Sequence, residues 1–280
     1  MSSEKTTAII LKVVDYSETS CVITLFSESS GKLSGLAKGA RRPKGPFHGA
    51  IDVLSISQVL FLPRRSANLD LLTEAKLVRR FRPCQWSLAR LYAGYYVAEL
   101  LLETLEPHAA MPELFHQTVR TLDDLQQQES DWGYLPTSSI LLRFELQLLQ
   151  HLGQGLELNH CGLCGRPLKL DQRLPEQQKV KFSYLESSLV CSHCLSGKRQ
   201  LVDLPLASVQ LLRQLQASDD QRWRENAEPM VDRRLRDLLD QHWRVVLNRK
   251  LKLQPAIRQI VSREQQQAKR NAKEHRRSDP

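Results

Sequence analysis

The 280-residue chain lacks any run of about 18 apolar residues unbroken by charge, which excludes a membrane-spanning helix. Its first residues, MSSEKTTAII, lack the apolar core and small-residue cleavage site of a signal peptide, so a cytoplasmic protein is expected. Catalytic signatures are missing too. There is no glycine-rich phosphate loop of the P-loop type, no nucleophile elbow, no HExxH, and no set of carboxylates spaced for a two-metal nuclease. Titratable residues such as Glu145 and His151 lie in helical segments without an evident partner, so no enzymatic chemistry is expected. Cysteine is scarce at six residues, and a reducing compartment disfavours disulfides.

With 41% hydrophobic and 25% charged residues, the composition is globular rather than disordered, and the length suits two domains. The formal charge of +9 is unevenly spread. Residues 1–82 hold 13 Lys and Arg against 7 Asp and Glu, residues 83–248 hold 17 against 21, and residues 249–280 hold 10 against 3. Basic ends flanking a mildly acidic middle point to polyanion contact at particular surfaces, since phosphate neutralisation supplies most sequence-independent nucleic-acid affinity.

From Thr7 to Val78, short runs rich in Val, Ile, Leu and Phe alternate with turn residues. Ala8–Val14, Cys21–Phe26, Leu33–Ala37, Val53–Leu62 and Leu71–Val78 read as five strands. Ser29-Ser30-Gly31-Lys32 is a tight hairpin signal, whereas a long loop from Gly39 to Gly49 joins the third and fourth strands. This pattern suits a five-stranded OB-type barrel, and an SH3-like barrel fits the strand count almost as well. Arg82-Pro83 closes the region.

Helices follow: one capped by Ser87 and stopped by Pro107, then Pro112 to about Gln128, Ser138 to Leu152 with Gly153 behind it, Leu206 to Gln216, and Glu228 to about Leu251. The expected fold is therefore α+β and multidomain. An N-terminal five-stranded OB-fold barrel (1–82) precedes an all-α domain (83–253) with an inserted four-cysteine zinc finger (158–197). A basic, mobile C-terminal tail (254–280) ends the chain, because apolar residues thin out after Gln254.

The strongest motif is Cys161-Gly162-Leu163-Cys164 followed by Cys191-Ser192-His193-Cys194. Each CxxC turns two thiolates toward one ion, and four thiolates close a tetrahedral Zn²⁺ shell with no open position, which is a structural site. Val180, Phe182, Tyr184, Leu189 and Val190 read as a hairpin returning the second pair to the first, while His160 and His193 adjoin the cysteines as competing ligands. Redox-active thiols and unmetallated cysteines are the alternatives. Cys21 and Cys84 read as buried or half-buried residues without such a role.

The second motif is Lys38-Gly39-Ala40-Arg41-Arg42-Pro43-Lys44, four cations in seven residues on the longest barrel connection. Arg can bind phosphate bidentately, and OB barrels bind single strands through basic grooves and stacking aromatics. The candidate nucleic-acid residues are Lys32, Lys38, Arg41, Arg42, Lys44 and the stacker Phe47, with Phe61 next; Tyr16 and Phe26 read equally as core. A solvated turn is the alternative for the loop. A third candidate surface lies at the end of the last helix. There Arg244, Arg249 and Lys252, with Trp243, Val246 and Leu247, either stabilise the helix terminus or receive an acidic partner peptide.

Several segments resemble the bacterial recombination and repair mediator family RecO: Ala8-Ile9-Ile10-Leu11-Lys12, Asp15-Tyr16-Ser17-Glu18, Thr24-Leu25-Phe26, Gly31-Lys32-Leu33 and, above all, Ala37-Lys38-Gly39-Ala40-Arg41-Arg42-Pro43. The order of barrel, helical domain and inserted finger is similar as well. The resemblance implies a non-enzymatic protein that binds single- and double-stranded DNA and promotes annealing. It further implies work with RecR to load RecA onto strands covered by single-stranded DNA-binding protein, whose acidic C-terminal tail would meet Arg244, Arg249 and Lys252. A cytoplasmic, nucleoid-associated bacterial protein is then expected. The other reading is a zinc-ribbon factor bound to RNA or the ribosome. A zinc hydrolase is disfavoured by the complete thiolate shell.

Overall fold

Period-two burial makes the barrel. In β2 (Cys21–Ser27) and β3 (Gly31–Ala37) buried residues alternate with partly exposed ones, so one face of each strand is committed to a core. β1 (Glu4–Asp15) is long enough to pair with β2 through Ala8–Asp15 and with β4 (Ile56–Leu62) through Glu4–Ile9; a register shift between Ile10 and Lys12 bends it between the two. β5 (Asp70–Arg79) runs antiparallel to β4 and parallel to β3, closing a barrel of order β1-β2-β3-β5-β4. Antiparallel neighbours with one parallel closure are the OB arrangement, which removes the SH3-like alternative.

A computed structural model of the chain describes residues 3–43, 45–63, 69–85, 87–128, 135–168, 170, 178–196, 201–217, 223 and 233–278. They form two compact units, Met1–Asp131 and Trp132–Pro280. The barrel core is built from Ile10, Ile23, Leu25, Leu33, Val59, Phe61 and Leu72. Phe47 and Ala50 enter it from the long β3–β4 connection, held by the Pro46 carbonyl accepting from Ala75 N at 3.0 Å.

The first unit continues past the barrel into α1 (Leu88–Thr104), capped by Ser87 as expected, and α2 (Pro112–Gln126). Both pack on the barrel. Phe26 meets Phe115 edge to face at 5.6 Å, and His116 Nε2 lies 3.1 Å from Glu28 Oε1. Gly31, at φ 69°, is required at the hairpin because a Cβ there would lie 2.1 Å from the Ala109 carbonyl oxygen.

In the second unit, α3 (Thr137–His151) is almost wholly buried and ends at Gly153 with φ 68°, the left-handed stop its position suggested. A four-stranded sheet of order β6-β8-β7-β9 follows, from β6 (Glu157–Cys161), β7 (Lys179–Ser183), β8 (Ser188–Val190) and β9 (Leu201–Pro205). Then come α4 (Leu206–Ala217), α5 (Arg233–Leu247) and α6 (Gln254–Ser278). The expected start of α5 near Glu228 lies outside the described residues.

The segment expected as a basic tail is helical in α6, and three apolar residues at its start, Ile257, Ile260 and Val261, share one face and are buried. Glu264 adds a second tie by accepting from Thr137 N at 2.9 Å and Ser138 N at 3.1 Å, capping the open N–H groups of α3 from a distant helix.

The expectation that Glu145 stands without a partner is likewise overturned. Arg236 donates to it through Nη1 at 2.6 Å and Nη2 at 2.7 Å, and Trp243 Nε1 donates at 2.9 Å. Arg236 Nε also reaches Asp240 Oδ1 at 2.9 Å, and Arg258 donates to Asp240 Oδ2 from α6. Glu145 and Asp240 are fully buried. Nothing local in the sequence marks the tie to Glu145, because Arg236 and Trp243 lie 91 and 98 residues away on another helix.

Candidate metal centre and nucleic-acid interface

The four cysteines converge. Cys161 is the last residue of β6 and buried; Cys164 lies in the turn after it; Cys191 follows β8 directly; Cys194 closes a single 3₁₀ turn. All four Sγ atoms lie within 4.8 Å of one another, and Cys164 and Cys191 are 3.7 Å apart. Sulfurs about 2.3 Å from one tetrahedral ion stand about 3.8 Å from each other, whereas a disulfide requires about 2.05 Å. The cluster therefore has the spacing of a metal shell.

The backbone shapes this pocket. Gly165 N donates to Cys161 O at 2.8 Å, Cys194 N to Cys191 O at 3.0 Å, and Cys191 N to Cys161 Sγ at 3.4 Å. Gly162 is needed for close approach, since a Cβ there would lie 1.9 Å from Ser188 Oγ. Burial disfavours ionisation of Cys161, but N–H groups of Cys191, Leu163 and Cys164 outweigh it and hold the thiol at about 6. Hydrogen bonds with Cys191 and Cys164 push Cys194 up to about 12. His160 turns to Glu157 instead, with Nδ1 3.4 Å from Oε1, and neither it nor His193 joins the cluster. Arg213 and Gln216 of α4 anchor β6 by donating to the carbonyls of Leu158 and Leu156.

On the barrel, Lys38, Arg41 and Arg42 are exposed, as a phosphate-binding loop requires. Gly39 at φ 70° makes the turn, closed by Arg42 N donating to Gly39 O at 3.1 Å. Arg41 N reaches Thr19 O at 3.2 Å, tying the loop to the β1–β2 connection, and its guanidinium pairs with Asp15 at 3.0 Å on the open surface. Lys44 lies outside the described residues.

Two of the expected nucleic-acid residues are redirected. Phe47 is 1% exposed and plugs the barrel, because its segment folds back over the core; Phe61 and Phe26 are buried as well. Lys32 donates its ammonium to the Leu102 carbonyl at 2.9 Å, and burial lowers its pKa. The aromatic beside the basic loop is Tyr16, 66% exposed on the connection that Arg41 grips. Its place among turn residues, directly after the strand end Asp15, was the signal available in the sequence.

At the end of α5 the expected site separates. Trp243 is fully buried and committed to Glu145, so it offers no apolar anchor. Arg244 reaches Gln241 Oε1 at 3.3 Å; Arg249 and Lys252 are exposed beyond Asn248, whose φ of 52° ends the helix, and each has an interaction within the chain. No helix among the described residues is long and apolar enough to cross a membrane.

This combination of OB barrel, helical body and four-cysteine cluster has relatives. Residues 1–81 match the profile Recombination protein O N terminal, and residues 86–255 match Recombination protein O C terminal. The chain is 38% identical over 211 residues to the DNA repair protein RecO of Rhodopirellula baltica, covering 74% of this chain and 73% of that one. It is 30% identical over 245 residues to the DNA repair protein RecO of Myxococcus xanthus, covering 88% and 93%. With both domain profiles matched in order and relatives covered along most of their length, the chain belongs to the RecO family of DNA repair proteins.

Proposed function

We propose that this chain is a non-enzymatic recombination mediator that binds single- and double-stranded DNA through the exposed loop of its barrel. In that reading it anneals complementary strands at the nucleoid and, with RecR, helps load RecA onto strands covered by single-stranded DNA-binding protein. The observation that carries it is the basic loop with Lys38, Arg41 and Arg42 exposed and Tyr16 beside it on the tied connection. Guanidinium and ammonium groups meet phosphates without regard to sequence, and an exposed phenol ring stacks on any base. Lys44 completes the set; Phe47 and Lys32 do not belong to it. The Cys161, Cys164, Cys191 and Cys194 shell holds structural Zn²⁺, since four thiolates at that spacing leave no position for a reacting water.

The test is a titration of the full chain with single-stranded DNA, duplex DNA and RNA at two salt concentrations. Replacing Lys38, Arg41, Arg42 and Lys44 by Ala is expected to reduce the logarithmic salt slope by about 0.7 per lost contact for single strands and about 0.9 for duplex. Tyr16→Ala is expected to weaken single-strand binding by about 1 to 3 kcal/mol. Unchanged affinity and slope in the quadruple variant would make the loop a solvated turn. Preference for structured RNA would favour the ribosome-associated reading.

A further inference from the structure

A cleft of about 390 Å³ opens between α5 and α6, within the range of about 300 to 1000 Å³ typical of ligand clefts. Four guanidiniums line it, those of Arg233, Arg236, Arg258 and Arg263, against one carboxylate, Asp237. Two of the four are spoken for. Arg236 is neutralised beneath the floor by Glu145 and Asp240, and Arg258 by Asp240 with Asp237 at 3.5 Å. Arg233 and Arg263 are exposed, and among the described residues no carboxylate pairs with either.

The wall formed by α6 extends this surface. Gln259, Arg263, Gln266 and Arg270 recur at intervals of four, three and four, which places them on one helical face, and all four are exposed. At 1.5 Å per residue, Arg263 to Arg270 covers about 10 Å, the rise of about three nucleotides in B-form DNA. Over Gln254–Ser278 the sequence has seven Lys and Arg against two Glu, and Glu264 is already occupied in capping α3. The family match ends at residue 255, so nearly all of this wall lies beyond it.

We propose that the α5–α6 cleft and the adjoining face of α6 form a second polynucleotide-binding site, taking the phosphodiester backbone of a strand. Arg233 and Arg263 bind phosphate oxygens bidentately, Gln259 and Gln266 donate neutral hydrogen bonds, and Arg270 meets a phosphate further along. A nucleic-acid backbone suits the cleft better than an acidic peptide with apolar anchors. The one apolar side chain lining it, Val261, is 2% exposed, so such a peptide finds charge but no pocket. A phosphodiester needs no pocket. The site stands on its own residues, apart from the barrel loop, so one chain is equipped to hold two strands.

The experiment uses the full chain and fluorescein-labelled oligothymidylate too short to bridge separate sites. Stoichiometry and salt dependence are read for wild type, Arg263→Glu with Arg270→Glu, and Arg41→Glu with Arg42→Glu. Wild type is expected to bind two oligonucleotides per chain and each double variant one, with the surviving site unchanged in affinity. If the α6 variant keeps both oligonucleotides, the second site is overturned and only the barrel reading stands. If the barrel variant keeps both and the α6 variant loses one, the cleft stands and the barrel reading fails. Photocrosslinking wild type to oligothymidylate guards against misfolding of a variant: a crosslink within 254–278 supports the site, and its absence overturns it. An Asp- and Phe-containing peptide that binds the wild-type cleft, and loses binding in the α6 variant, while oligothymidylate does not compete, would assign the cleft to acidic peptide instead.

Discussion

Glu145 accepts three hydrogen bonds from Arg236 and Trp243 at full burial, a geometry in which each charge depends on its partner. Desolvation makes such pairs costly to break, whereas replacing both members by apolar groups is often close to neutral. Glu145→Ala is therefore expected to lower unfolding free energy by about 3 to 5 kcal/mol, with a partial recovery in the double variant Glu145→Met with Arg236→Met. Denaturant unfolding of the three variants decides it, and a cost below about 1 kcal/mol for Glu145→Ala would sink the argument. His242 carries a pH dependence. Burial lowers its pKa below 6.5, with the hydrogen bond to the Gln154 carbonyl acting the other way. Above about 6.5 both folded and unfolded chains hold it neutral, and its contribution is complete. As pH falls further, the unfolded chain takes up a proton that the folded one resists, so stability declines until the folded pKa is passed. Unfolding at pH 7.5 and 5.5 should thus show a smaller acid loss for His242→Gln than for wild type; equal losses would mean that the imidazole is not desolvated.

Among the elements, the knuckle pair depends most on something outside the polypeptide. β6 and β8 each deliver a CxxC turn, and their strands are only five and three residues long, so convergence of four sulfurs couples metal binding to local folding. One Zn²⁺ per chain is expected in protein purified without chelator, and cobalt substitution should give a four-sulfur spectrum. Cys191→Ser is expected to lower the thermal stability of the second unit while leaving oligonucleotide binding by the barrel close to wild type. Metal content near zero would remove the assignment. α6 shows the opposite economy: three buried apolar residues and one capping carboxylate hold the start of a helix whose remaining sequence is almost wholly polar.

At the scale of the whole chain, charge is divided between two units: the barrel displays a basic loop in the first, and α6 carries the basic end of the second. The partner surface proposed at Arg244, Arg249 and Lys252 belongs to the second unit and keeps the half-buried Val246 and Leu247 near its charges, while Trp243 is withdrawn. Charge reversal at Arg244 and Arg249 is expected to weaken binding of the acidic tail peptide of single-stranded DNA-binding protein several-fold at low salt and less at high salt, where screening already weakens the pair. DNA binding by the barrel should remain near wild type. Calorimetry with the peptide tests this, and equal affinities would return these cations to stabilising the end of α5.

The sequence by itself determined what depends on near neighbours. Alternating burial set the strands of the barrel, Ser87 and Gly153 set helix ends, and two CxxC turns announced a shell that needs only local geometry plus one return of the chain. The segment around Ala37–Pro43 was enough to indicate the family. Tertiary structure alone decided which side chains of one chemical type face inward. Phe47 and Tyr16 are both loop aromatics, and only the fold of the β3–β4 connection over the barrel buries one and leaves the other in solvent. Lys32 became part of a helix contact, and Glu145 found Arg236 and Trp243 across 91 and 98 residues, pairings that no periodicity encodes. α6 was legible only in part: Ile257, Ile260 and Val261 mark one apolar face locally, but its ties to Thr137, Ser138 and Asp240 come from other helices.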